Sequence, residues 1–133
     1  MTTYSMGTSL SLPTDSSDLE TLYSTQNVLD VATRNNVRVS ESSESGYVLH
    51  QFKDLVGNKN ECTVEWTGQS NYAPKLSTVY LQIYAPAFSK WVTIDGDNLS
   101  REHTNFTLSA EILDLTDYKD ANKMITCRIY QLT

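Results

Sequence analysis

The stretch STVYLQIYAPAFSKWVTIDGDN, residues 77–98, decides the fold. Val79, Leu81 and Ile83 alternate with Tyr80, Gln82 and Tyr84, which is the period of a strand with one aliphatic face. APAFSK is a connection, and a second alternation follows it, with Trp91, Thr93 and Asp95 opposite Val92 and Ile94. Asp95-Gly96 is a tight-turn pair, so the spacing predicts a hairpin with an exposed tip at residues 95–98.

The same period recurs on both sides of this hairpin. In ECTVEWTG, residues 61–68, Cys62, Val64 and Trp66 face one way and Glu61, Thr63 and Glu65 the other. GYVLHQFKDL, residues 46–55, is mixed on both faces, which predicts a strand covered on both sides. FTLSAEILDL begins at Phe106, and MITCRIYQL carries Ile125, Cys127 and Ile129 on one face. Strands are also expected at residues 27–33 and 37–41, separated by a turn at 34–36, with a polar loop at 41–46. Short helical turns are expected after Asp18, acting as N-cap, and at residues 117–123. Roughly eight short strands with polar turns and no long helical period predict an all-β, antiparallel β-sandwich of the jelly-roll kind. Residues 1–13, ending at Pro13, read as an extended N-terminal arm or edge strand, and residues 14–133 as a single sandwich domain. Such an arm would be removable without unfolding the domain.

Composition narrows the function. The chain has 133 residues and a net charge of −6, with no basic patch, so nucleic-acid binding is disfavoured. No run approaches a membrane span. The start, MTTYSMGTSLSLPTD, lacks a basic n-region and an apolar segment. A chain made in a cytoplasm is the expectation; if it ends up outside, it leaves by another route, one being assembly into a particle released by lysis. Eight Tyr, two Trp and three Phe supply large packing surfaces.

No pattern in the sequence selects a catalytic site. His50 lies between apolar neighbours and reads as a packed histidine, while His103 sits in a polar loop. There is no nucleophile elbow and no metal-type Cys/His spacing. Glu61 and Glu65 share a strand face and read as solvated. Cys62 and Cys127 read as buried thiols, with a disulfide as the alternative. Asp95, Asp97 and Asn98 offer oxygens to calcium, but the six to eight ligands it needs are not patterned there, and a hairpin tip is the preferred reading. Trp66, Tyr72, Tyr80, Tyr84 and Trp91 are candidates for stacking on a sugar; Trp66 has the phase of a core residue. Tyr80, Tyr84 and Trp91 remain as a partner or glycan surface. No cofactor is expected.

With the strands placed, the pieces Phe52-Lys53-Asp54, residues 64–70, residues 73–84, residues 91–95, residues 105–108 and residues 128–131 form a recognisable series. It resembles a family of small all-β proteins of tailed phages and related environmental genomes. The APAFSK turn lacks that family's Asn-rich tip, and Asn105 stands where Asp is usual; both are surface changes. The resemblance covers about the last two-thirds of the chain and brings no catalytic residues with it. It implies a non-enzymatic virion structural protein that decorates or stabilises a capsid or tail. The expected partners are other virion proteins and further copies of the chain. A carbohydrate-binding module on a particle surface is the alternative.

Overall fold

The computed structural model describes residues 3–24, 26–28 and 46–133. Among these described residues eight strands follow in order: β1 Thr3–Ser9, β2 Thr21–Leu22, β3 Tyr47–Leu55, β4 Cys62–Gly68, β5 Val79–Ala85, β6 Lys90–Asp97, β7 Phe106–Ile112 and β8 Met124–Leu132. Every pairing is antiparallel. A six-stranded sheet runs β2-β1-β3-β8-β5-β6, and β4 and β7 form a second sheet. The protein is therefore an all-β antiparallel sandwich, but its described strands divide six and two, whereas a jelly roll is built from two sheets of comparable size. No helix among the described residues is long and apolar enough to cross a membrane.

The alternation seen in the sequence places the core between the sheets. Leu81, Ile83 and Cys127 are fully buried there, with Val64 and Leu108 facing them from the small sheet. Leu115, just beyond β7, closes the layer, and its amide donates to the Asn60 carbonyl. Each large aliphatic side chain so buried contributes about 1.5–3 kcal/mol. Trp66 packs at the edge of this core against Phe106, ring centroids 5.4 Å apart. Its ring folds back over Gly68, where an added Cβ would lie 2.5 Å from the indole.

Several local expectations change. Of the arm and edge-strand readings of the N-terminus, the described residues 3–9 fit the strand: β1 pairs with β3 at seven successive positions and with the two-residue β2 at Ser5 and Met6, so it is part of the main sheet. Residues after Asp18 run extended into β2 instead of starting a helix, and Asp18 pairs with Lys53 at 3.1 Å. The helical turn comes later, at residues 26–28, where the Ser24 hydroxyl accepts from Asn27 N–H and the Asn27 side chain accepts from Ser24 N–H. Asn27 and Val28 are thus helical, and the rest of the expected strands and turn at residues 27–41 lies outside the described residues. Residues 117–123 form tight turns without a helix. Asp95-Gly96 is not a tip, because β6 continues through it to Asp97. The register slips by one residue opposite Leu81/Gln82, leaving Ile94 as a bulge, and Gly96 pairs with Tyr80 in extended backbone.

The contact between Trp66 and Gly68 yields a first prediction. Gly68→Ala should destabilise the fold by about 1–3 kcal/mol through overpacking against the indole. Equilibrium urea denaturation measures it, and an unchanged midpoint would contradict the close approach.

Candidate functional site

The face of the six-stranded sheet turned away from the core has a different chemistry. In a strand, alternate residues share a face, so register fixes which side chains meet. Arg128 on β8 stands between Gln51 on β3 and Gln82 on β5, with Ser5 and Thr93 further along the same row. Tyr130 lies beside Tyr80, and Tyr84 beside Trp91. Tyr80, Tyr84 and Trp91, expected as a partner or glycan surface, thus lie together on one sheet face, half-buried. Tyr47 and Tyr130 join them: ring centroids are 5.8 Å apart for Tyr47–Tyr130, 5.2 Å for Tyr80–Tyr130 and 5.2 Å for Tyr84–Trp91.

Arg128 organises the face. It is only 2% exposed. Its guanidinium carbon sits 4.0 Å from the Trp91 ring centroid and 5.4 Å from that of Tyr130. Nε donates to Gln82 Oε1 at 2.8 Å and Nη1 to the Pro13 carbonyl at 2.6 Å. Gln82 is held in turn, its Nε2 donating to Thr93 Oγ1 at 2.9 Å. Loss of water pushes the Arg128 pKa down to about 10, the neighbouring Tyr130 acting the other way, and the group stays cationic at neutral pH. It meets π faces and neutral oxygens.

Residues 10–20 form a strap over this row. After Pro13, the Asp15 carbonyl accepts from Trp91 Nε1 at 3.2 Å. The Ser16 and Ser17 carbonyls accept from Gln51 Nε2 at 3.3 and 2.9 Å. The strap then returns to β1, where Leu19 N–H donates to Ser5 Oγ and Thr8 N–H to Glu20 Oε1. Arg128, Trp91 and Gln51 all recognise backbone, not side chains, of the strap.

The other candidates are occupied structurally. His50 Nδ1 meets the Tyr23 hydroxyl at 2.6 Å, and burial pushes its pKa down to about 4. His103 lies in an exposed loop, its amide donating to the Ser70 carbonyl. Glu61 and Glu65 are exposed on the outer side of the small sheet. Cys62 and Cys127 are free thiols; burial, and to a lesser degree the Asp54 carboxylate, raise both pKa values, so both are protonated at neutral pH. Asp95 spends its carboxylate on the amides of Gly96 and of Ser109 on β7, bridging the two sheets. Asp97 accepts from the amides of Leu99 and Ser100 and from the Ser100 hydroxyl, hydrogen bonds that lower its pKa against a counteracting desolvation. Asp95 and Asp97 are therefore turned to different tasks on the two sides of Gly96, and no group of three or more His, Cys, Asp or Glu among the described residues is placed to hold a metal.

Two predictions follow from these contacts. Arg128→Lys keeps the charge but loses the planar stack on Trp91 and the fork to Gln82 and Pro13; it should cost roughly 1–3 kcal/mol and red-shift Trp91 emission, read in a Trp66→Phe background. His50 binds a proton in the unfolded chain near pH 6.5 but in the fold only near pH 4. Stability is therefore complete above about pH 6.5 and falls as the pH drops toward 4, by up to about 3.5 kcal/mol at about 1.4 kcal/mol per unit. His50→Gln should flatten that part of a pH–stability profile; an identical slope would exclude His50 as its source. Set beside known proteins, the chain matches no family model, no curated protein and no solved structure.

Proposed function

We propose that this chain is a non-enzymatic structural protein of a phage virion, decorating or stabilising a capsid or tail and acting as a homo-oligomer with other virion proteins. The resemblance of residues 52–131 to small phage β-proteins supports the reading. The observation that carries it is the treatment of the N-terminal segment. It is held by a backbone ladder along β3 and by side-chain donors aimed at four strap carbonyls. Main-chain docking of an extended segment is the means by which strand addition joins protein subunits. Repeated copies joined this way make closed rings or lattices.

A second reading, a carbohydrate-binding module on the particle surface, is favoured by the grouping of Tyr47, Tyr80, Tyr84, Trp91 and Tyr130 on one sheet face. Rings arrayed there offer apolar area with polar edges to a sugar. The two readings are compatible, since a virion surface protein can carry a glycan site.

Size-exclusion chromatography with light scattering, across a calcium titration, tests the first reading. The expected result is a stable oligomer whose mass does not depend on calcium. A monomer at every concentration, together with no binding to purified tailed-phage particles, would overturn it. A glycan-array signal abolished by Tyr80→Ala with Tyr84→Ala would move the weight to the second reading.

A further inference from the structure

We propose that residues 3–23 exchange between copies of this chain, the strap of one copy lying on Arg128, Trp91 and Gln51 of another. The inference rests on the assembly reading above and names its partner as a second copy.

The first support is that the segment is a unit. β1 and β2 pair with each other, Tyr23 N–H donates to the Tyr4 carbonyl, and the two rings stack with centroids 5.2 Å apart. Leu19 is tied to Ser5, and Glu20 to Thr8, within the same segment. It can move as one piece without losing these bonds.

The second support is the way the rest of the chain holds that unit. The contacts are the β3 ladder, the donors of Arg128, Trp91 and Gln51, the Tyr23–His50 bond and the Asp18–Lys53 pair. Each is satisfied equally by the same segment from another copy. No side chain of the strap is itself fully buried, and Leu10 at its start is 86% exposed. Its occupant is thus defined by chemistry already seated there: an extended, proline-containing backbone presenting carbonyls in this order.

The third support is reach. Residues 24–45 join the unit to β3, and about 22 residues span at most roughly 70 Å when extended. For a link of this many residues, an effective concentration on the order of millimolar is the scale that docking between copies must match. Copies packed into a shell or ring meet at comparable concentration, so exchange competes there, while a dilute chain keeps its own segment.

Thr8 and Val48 are opposite one another on β1 and β3, and both are half-buried. Directly opposed antiparallel residues lie about 4.5–5.5 Å apart at Cα, within disulfide range. The test co-refolds Thr8→Cys chains with mass-tagged Val48→Cys chains, at micromolar and at about millimolar concentration, under mild oxidation. The wild-type chain, which keeps Cys62 and Cys127, is treated in parallel. Exchange predicts a covalent Thr8→Cys/Val48→Cys heterodimer that rises roughly tenfold or more at the higher concentration and is absent from wild type. The double variant in one chain controls the geometry. If it closes within itself while the mixed chains give no heterodimer above the dilute level, exchange is overturned. An oligomer by light scattering with only intrachain closure sinks exchange and leaves the assembly reading standing.

Discussion

The structure turns on one buried cation. Arg128 sits on β8, the strand with β3 on one side and β5 on the other, and it is almost wholly withdrawn from water. A charge removed from water is costly unless polar and π groups replace its hydration. Here Trp91 comes from β6, Gln82 from β5, Tyr130 from β8 itself and the Pro13 carbonyl from the strap. The requirement therefore reaches across most of the sheet. It fixes the rotamer of Gln82, the orientation of the Trp91 ring and the path of the N-terminal segment. Without the strap, a guanidinium and an indole N–H would both need new acceptors. That is why residues 3–20 are held on the sheet, as strand and strap, and cannot be treated as an appendage.

The apolar side of the sandwich was legible in the sequence because it obeys a local rule. Cys62, Val64 and Trp66 against Glu61, Thr63 and Glu65 gave both the existence of β4 and its buried face. Leu81 and Ile83, and Ile125, Cys127 and Ile129, did the same for β5 and β8. The mixed faces of β3 also had a physical meaning: Leu49 and Gln51 are buried under the strap side, and Phe52 packs toward the core. Alternation reports burial, and burial is what these strands share.

The candidate site was legible only in part, because its organising contact is remote. Tyr80 and Tyr84 were assigned by phase to the face opposite the aliphatic one, with Trp91 named beside them as a surface candidate. Arg128 was not singled out, since a charged residue in an alternating strand reads as solvent-facing by default. Its acceptor, Pro13, lies 115 positions away. The signal that was present is the row itself: polar Gln51, Gln82 and Arg128 recur at the centres of β3, β5 and β8. Asp95-Gly96 failed for a related reason. As a dipeptide it favours a turn, but Asp95 bonds Ser109 on the facing sheet and Ile94 takes up the extra residue as a bulge, so tertiary pairing overrides the local preference.

The two faces of the large sheet solve different problems. The core face is aliphatic and shape-specific, and among the described residues the β4–β7 pair faces Leu81, Ile83, Cys127 and Ile129 across it. The other face is aromatic and hydrogen-bonding, and it is covered by backbone. Recognition through carbonyls constrains the path of the covering chain more than its side chains, so the strap can be polar, with Asp15, Ser17 and Asp18 exposed, and still be held in register. A face that selects path over sequence is suited to holding a segment whose outer surface remains available to something else. The specificity lies in the spacing of Arg128, Trp91 and Gln51 across three strands, and that spacing is set by the sheet geometry itself.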